Sequence, residues 1–388
     1  MSEEPARASG AWLADAGVPL MHTLAGAIIA LAETTGLDAF TLPYPPEAQR
    51  ALDRTALACL RRGAAPPHSI PELVSWCRSR PIANWPLDLP PDAVGDTDRL
   101  LDPRSGLPTE LCHEWYLKTR DSATRRYDRD IIHEAFTRCR ESGEPDSYTS
   151  FRRLLVERPV RTSAEFFTDR TDWQLAPVRD LLGLIYLPVP ASHRGADGEG
   201  YAVCGRCATL LIPLVGGGWW CERDACRRQG SAPIDRRLPV AETGGLVQLA
   251  RPLRQFVTWP GRAEIELERI LLAAGLSVQM WPGYDAYDLR VTFPDGWVWA
   301  IDVKDWAHPG LLGTNATAVR REPPYDEAFW VVPTHRIRDR PDYIDVYNRN
   351  RPEHAEDLVL LTDRQVMDTA RQRLRAGRCR NREDDPDA

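Results

Sequence analysis

The stretch Gly261–Trp306 reads GRAEIELERILLAAGLSVQMWPGYDAYDLRVTFPDGWVWAIDVKDW. Its first part has helical periodicity: Glu264, Leu267, Leu271 and Ala274 fall on one stripe of a helix over 264–274. Glu264 then ends a buried seam, Glu266 points away from it, and Glu268 lies beside it. Gly275 suits the helix C-terminus, where a left-handed residue is wanted. Leu276 to Trp281 reads as a strand and Pro282 to Tyr287 as a loop. Asp288 opens a second strand, DLRVTF, the turn Pro294–Gly296 reverses the chain, and Trp297 to Val303 returns. With a side-chain period of two, Val298, Ala300, Asp302 and Lys304 share one face of the returning strand. The hairpin therefore predicts that Asp288 and Asp302 meet across it, with Lys304 beside them.

These residue types suit one chemistry. Hydrolysis of a phosphodiester adds negative charge to a group already anionic, and a divalent cation neutralises that charge and acidifies a bound water. Mg²⁺ takes a few hard oxygen ligands and keeps waters, so two Asp carboxylates and a backbone carbonyl suffice. A lysine ammonium can orient the attacking water or stabilise the new charge. The chain has 49 basic residues, of which only Lys118 and Lys304 are lysine. A lysine is therefore unusual here, and it differs from arginine in reach and hydration.

The ordered set of helical Glu264, then Asp288, then Asp302-Val303-Lys304 resembles the PD-(D/E)XK, or restriction-endonuclease-like, nuclease superfamily over residues 261–372. The spacing from Glu264 to Gly275 is similar to that of the archaeal Holliday-junction resolvase type. The resemblance implies binding of Mg²⁺ (or Mn²⁺) by Asp288, Asp302 and the Val303 carbonyl, a catalytic role for Lys304, and a second-metal role for Glu264. Departures are present: no proline precedes Asp288, Asp285 rivals it for the first motif position, and Asp305 is extra. Strands at Ala328–Val332 and Leu358–Leu361 and a helix at Arg364–Arg375, capped by Thr362-Asp363, continue such a fold.

Upstream, Cys204-x2-Cys207 and Cys221-x4-Cys226 flank a strand-like LLIPLV and a turn at Gly216–Gly218. Two cysteine pairs joined by a hairpin predict a zinc ribbon whose four thiolates close a structural Zn²⁺ site. A unit this small has too little core to fold alone, and the metal supplies the missing free energy. The ribbon is locally basic, with Arg227 and Arg228 among the six arginines of 201–240, and could contact nucleic acid or a protein partner. Seven arginines against one aspartate make 364–382 the most basic stretch, with Arg371 and Arg375 on its helix. Such a stretch can track phosphates or can be a solvated helix end.

Residues 1–160 read as mainly helical, at 46–62, 69 onward (with Ser69 as cap), 109–118, 128–141 and 147–156. They carry no chemical motif: His113, His133 and Glu134 read as ordinary helix polar residues, and Lys118–Arg140 as a basic solvated face. The expected organisation is α+β and multidomain: a mainly helical region (1–160), a connector (161–200), a zinc ribbon (201–232), a second connector (233–260), an α/β/α nuclease-like domain (261–376) and a disordered tail (377–388).

Nine cysteines, an odd number with one tight cluster, argue for metal binding in a reducing compartment over a disulfide framework. The polar start MSEEPARASG and the short apolar run Met21–Ala32 predict a cytoplasmic chain with no membrane partner. A net charge of −7 excludes an indiscriminate nucleic-acid coat. A ribbon ahead of such a nuclease, behind a long helical region, resembles the stand-alone nuclease that accompanies prokaryotic Piwi-type (R/E-motif) proteins in defence islands, which also encode a helicase. That resemblance implies a metal-dependent DNA endonuclease acting against foreign DNA with protein partners, and with a homodimer if both strands are cut. A different class also fits: a non-catalytic zinc-ribbon adaptor that binds DNA or a partner of a defence complex. RNA as substrate has no aromatic-basic platform to support it.

Overall fold

The computed structural model describes residues 17–33, 43–117, 123–195, 198, 200–214, 217–240 and 244–383, with the side chains of 33, 117, 123–129 and 377–383 left undescribed. Lys118 and most of the basic face around it, the N-terminal decapeptide, Gly216 of the ribbon turn and the last five residues lie outside this description. The chain forms two compact units.

The first unit joins residues 1–123 to two later segments, 306–318 and 335–358. Helices Gly17–Glu33, Pro46–Arg61, Ile70–Ser79 and Glu110–Leu117 enclose a core with Met21, Leu24, Leu100 and Trp115. Ser69 caps its helix, accepting from the Glu72 N–H at 3.3 Å. The later segments are tied in by polar contacts buried from water. Glu114 accepts from the backbone N–H groups of Ala307 and His308, and Arg336 pairs with Glu110 at 2.8 Å. Two stretches within 261–376, read from sequence as one domain, thus belong to the unit built mainly from the N-terminal half. His113 is buried in this unit.

The second unit holds 124–305, 319–334 and 359–388. It therefore includes the helices Ala123–Glu141 and α1 (Pro145–Glu157), which the sequence groups with the N-terminal region. Here His133 stacks on Phe136, and Glu134 pairs with Arg138 at 2.7 Å. A small antiparallel sheet runs β1 (Val160–Thr162), β7 (Leu246–Leu249), β2 (Tyr186–Pro188). The cysteine segment is two ribbons, β3 (Gly200–Cys204) with β6 (Ile234–Pro239) and β4 (Leu211–Pro213) with β5 (Trp219–Cys221). The principal sheet has the order β12-β11-β10-β9-β8, from Val359–Thr362, Glu327–Val332, Val298–Val303, Leu289–Thr292 and Ser277–Met280. β8, β9 and β10 are antiparallel, whereas β10, β11 and β12 run parallel. Helices α2 (Trp259–Ala273) and α3 (Asp363–Glu383) place Leu267, Leu271, Val366 and Ala370 in one core with Leu289, Val291, Trp299, Ile301, Val303, Phe329 and Val331. Alternation puts Asp302 and Lys304 on the opposite side of β10 from that core.

Three boundaries differ from the sequence reading. The helix expected from Glu264 begins earlier: a turn at Arg251–Leu253 and a π-turn at Arg254–Thr258 lead into α2 without a break. Trp259-Pro260-Gly261 looks like a break in sequence, yet each residue is helical. Pro260 lies in the first turn of α2, where its missing N–H costs little, and Gly261 lets α1 approach. A Cβ on Gly261 would come within 2.4 Å of Val156. At the other end α3 extends to Glu383, past the expected tail boundary at 377. Its N-cap is a capping box, in which Thr362 Oγ1 accepts from Gln365 N–H and Gln365 Oε1 from Thr362 N–H, while Asp363 accepts from Thr334. The loop 282–287 contains the short helical turn Pro282–Asp285. No helix among the described residues is long and apolar enough to cross a membrane.

Candidate functional site

The antiparallel register of β9 and β10 ends with Leu289 paired with Ile301, which leaves Asp288 and Asp302 each one residue beyond the last pair. Asp288 N–H donates to Ile301 O, and Val303 N–H donates to Asp288 Oδ2 at 2.6 Å. The Asp288 carboxylate is thereby held at the strand end. Lys304 Nζ pairs with Asp302 Oδ2 at 2.9 Å and lies 5.1 Å from the Trp330 ring centre on β11. Lys304 N–H donates to Val331 O, which fixes the backbone beneath this pair. Glu264, near the start of α2, is buried and accepts from Trp281 Nε1 at 2.6 Å.

Three residues that sequence reasoning left out, Arg152, Tyr148 and Arg153, lie around these groups. Arg152, on α1, is buried and pairs with Asp285 at 3.5 Å and with Glu264 at 3.9 Å. Its Nε has no hydrogen-bond partner, and its guanidinium sits 5.3 Å from the Trp281 ring centre. Tyr148, one turn before Arg152, donates to Asp285 Oδ2 at 3.2 Å. The neighbouring Arg153 ties α1 to α2 through Glu268 at 2.7 Å. Asp285, read as a rival first-motif residue, therefore faces Arg152 and Tyr148. One signal was available: Tyr148, Phe151, Arg152 and Leu155 fall on a single helical stripe, and Arg152 is its one charged member.

The segment carrying Trp281 and Asp285 is strained. Trp281, Tyr284 and Asp285 take φ of 46°, 60° and 71°, and Gly283 takes 60°. Left-handed backbone at non-glycine residues costs on the order of 1–3 kcal/mol each and persists only where surroundings hold it. A side chain on Gly283 would also meet Pro323 at 2.9 Å.

The electrostatics follow from crowding. Burial pushes Glu264 up to about 7, with Asp285 adding and Arg152 opposing. Burial, then the charges of Glu264 and Asp302, raise Asp288 well above the ordinary aspartate range. Burial works against the Lys304 ammonium, but Asp302 and Asp288 outweigh it and hold the lysine above its ordinary value. The cluster has hard oxygen donors and too little positive charge, which fits a divalent cation between Asp288 and Asp302.

The cysteines form the second candidate centre. Cys204, Cys207, Cys221 and Cys226 are all buried, with one sulfur from each within 4.8 Å of every other. Four thiolates around Zn²⁺ are separated by about 3.8 Å from one another, and Cys207 Sγ already lies 3.5 Å from Cys221 Sγ. The donor set could therefore hold zinc. Among the described residues this is the one group of three or more ligands drawn so close, so Glu264, Asp288 and Asp302 do not gather equally tightly. Buried ion pairs fix the ribbon in its unit: Glu222 with Arg254 at 2.6 Å, and Arg223 with Asp305, the residue after Lys304. The extra Asp of the Asp302–Asp305 run is thus a partner of the ribbon.

The arginines singled out for phosphate contact are placed unequally. Arg227 is turned inward, donating to Cys221 O and Glu222 O, pairing with Asp224, and covering the Trp220 ring at 4.6 Å. Arg228 is exposed. Arg371 and Arg375 line a groove between α2 and α3 with Arg269, Ile270 and Leu374, and Arg371 also pairs with Asp368 at 3.7 Å.

The mixed five-stranded sheet, with Asp288 and Asp302 at one end of its β9–β10 ladder, lies within a stretch that matches a known family. Residues 261–378 match the family described as "REase associating with pPIWI_RE". Residues 20–162 match a second family, "pPIWI_RE three-gene island domain Y". Over these two stretches the chain is similar to a restriction-endonuclease-like family associated with Piwi-type systems and to a domain of the same three-gene islands. No curated protein and no solved structure matches it.

Proposed function

We propose that the protein is a metal-dependent DNA endonuclease that hydrolyses phosphodiester bonds in prokaryotic defence against foreign DNA. The observation that carries this reading is the pairing of Leu289 with Ile301, which brings Asp288 and Asp302 to the same end of the β9–β10 ladder, with Lys304 2.9 Å from Asp302, within the stretch that matches the restriction-endonuclease-like family. Asp288, Asp302 and the Val303 carbonyl would hold Mg²⁺ or Mn²⁺, and Glu264 stands beside them. Bound there, the cation would neutralise the phosphate and lower the pKa of a water. Lys304, kept charged by Asp302 and Asp288, is suited to stabilising developing negative charge and to orienting the nucleophile as a donor. The four cysteines would hold a structural Zn²⁺. Arg371, Arg375 and Arg228 would contact DNA phosphates, whereas Arg227 is engaged within the ribbon. A Piwi-type protein and a helicase are the expected partners, in the cytoplasm, with a dimer supplying two sites for double-strand cutting.

Cleavage of plasmid, branched and single-stranded DNA with Mg²⁺ or Mn²⁺ tests this reading. Asp302→Ala and Lys304→Ala should each lower the rate by on the order of 10³-fold. Equal cutting by both variants and the parent would mean that the chemistry lies elsewhere. Absence of cutting by the pure, zinc-loaded chain, also with its island partners, would favour the adaptor reading.

A further inference from the structure

Arg152 is a fixed positive charge, buried among the carboxylates of the candidate site and delivered by a helix outside the stretch that matches the nuclease family. Its charge is permanent, because a guanidinium does not deprotonate in a protein. It faces Asp285 at 3.5 Å and Glu264 at 3.9 Å, with its Nε unpartnered. A buried guanidinium held by ion pairs and short of hydrogen bonds is costly unless its charge is needed. Here it is needed: Glu264, Asp285, Asp288 and Asp302 bring four negative charges when ionised, and Lys304 answers one.

We infer that Arg152 occupies the place of a second divalent cation, so that the site takes a single metal ion, held by Asp288 and Asp302. This rests on the nuclease reading and sharpens it. With Lys304 and Arg152 in place, two of the four negative charges are answered, and one divalent ion neutralises the rest. Geometry agrees. Glu264, the residue a second metal would use, is engaged by Trp281 Nε1 and Arg152. Among the described residues the four cysteines are the one group of three or more ligands drawn together, and Glu264, Asp288 and Asp302 are not such a group. Tyr148 and the strained 281–285 turn hold Asp285 toward Arg152. Arg152 is a positioning and charge-balancing residue, and its removal should open the Glu264–Asp285 side to a cation.

The test counts Mn²⁺ bound per full-length, zinc-loaded chain, by the electron paramagnetic resonance signal of free Mn²⁺ and by calorimetry. The parent should bind one Mn²⁺ that Asp302→Ala removes. Arg152→Met should bind two, and Arg152→Lys, which keeps the charge, should bind one. Two ions in the parent, both lost in Asp302→Ala, would overturn the inference without touching the nuclease reading. So would a folded Arg152→Met, with native circular dichroism and zinc content, that still binds one. If Arg152→Met does not fold, the parent and Arg152→Lys counts decide. No Mn²⁺ sensitive to Asp302→Ala in any of these chains would instead sink the nuclease reading on which the inference stands.

Discussion

The two candidate metal centres lie in one unit of the chain and are built by opposite means. The cysteine centre draws four ligands from 23 consecutive residues, Cys204–Cys226, on two short ribbons, and the ligands converge with sulfurs within 4.8 Å. The carboxylate centre takes Glu264 from α2, Asp285 from a strained turn, Asp288 and Asp302 from a hairpin, and Arg152 from α1, more than a hundred residues before Asp288. Four thiolates this close would repel one another and a bound cation would offset that repulsion, so metal binding and local folding are expected to be coupled there. The carboxylates are partly balanced by Arg152 and Lys304, so that centre can stand before a metal arrives. The expectation is that the first centre needs its metal in order to fold, whereas the second stands without one.

Three measurements can break or sharpen that contrast, in order of expected size. Removal of zinc comes first. Apparent binding energies of structural zinc in small domains are about 10–16 kcal/mol. Cys221→Ser, or chelation, should therefore unfold residues 200–240, seen as rapid proteolysis there and as loss of one zinc per chain. Withdrawing Mg²⁺ should leave proteolysis unchanged. Equal resistance of the zinc-free and zinc-loaded chains would remove the contrast.

Next is pH. Glu264 is raised from an ordinary 4.5 to about 7 by burial. A carboxyl that holds its proton more tightly folded than unfolded stabilises the fold at low pH. That stability is fully present below about 4.5 and is lost as pH rises through about 7. Each such group contributes at most about 1.4 kcal/mol per pH unit. In Mg²⁺-free buffer, the stability of the parent relative to Glu264→Gln should therefore fall from pH 5 to 8, measured by urea unfolding. The cysteine centre should move oppositely, because acid protonates thiolates and releases zinc. A flat difference across that range would show that Glu264 is ionised throughout. The smallest effect is expected from Trp281→Phe, which leaves buried Glu264 without its indole donor. A loss of about 1–3 kcal/mol is expected, with zinc content unchanged; no loss would mean that Arg152 alone satisfies Glu264.

Legibility in the sequence followed the same division. The cysteine spacing, the helix stripe of Glu264, Leu267 and Leu271, and the β9–β10 hairpin are local patterns, and each could be read directly. The start of α2 could not, because Pro260-Gly261 signals a break unless one knows that Val156 packs against Gly261. Nor could the division into units: residues 306–318 and 335–358 join the N-terminal half through buried pairs such as Arg336–Glu110, and no periodicity reports a partner 226 residues away. The inward turn of Arg227 was hidden for the same reason, since composition counts a charge and does not say what neutralises it.

By itself the sequence determined what short-range geometry determines: ligand spacing, strand alternation, capping at Ser69 and Thr362, and the chemistry that Asp288, Asp302 and Lys304 could support. Only the tertiary structure decided which charges share a buried space. It brought Arg152 and Tyr148 to Asp285, and Arg223 to Asp305. Coulombic and desolvation energies depend on distance through space and on exclusion of water, and neither is a function of position along the chain.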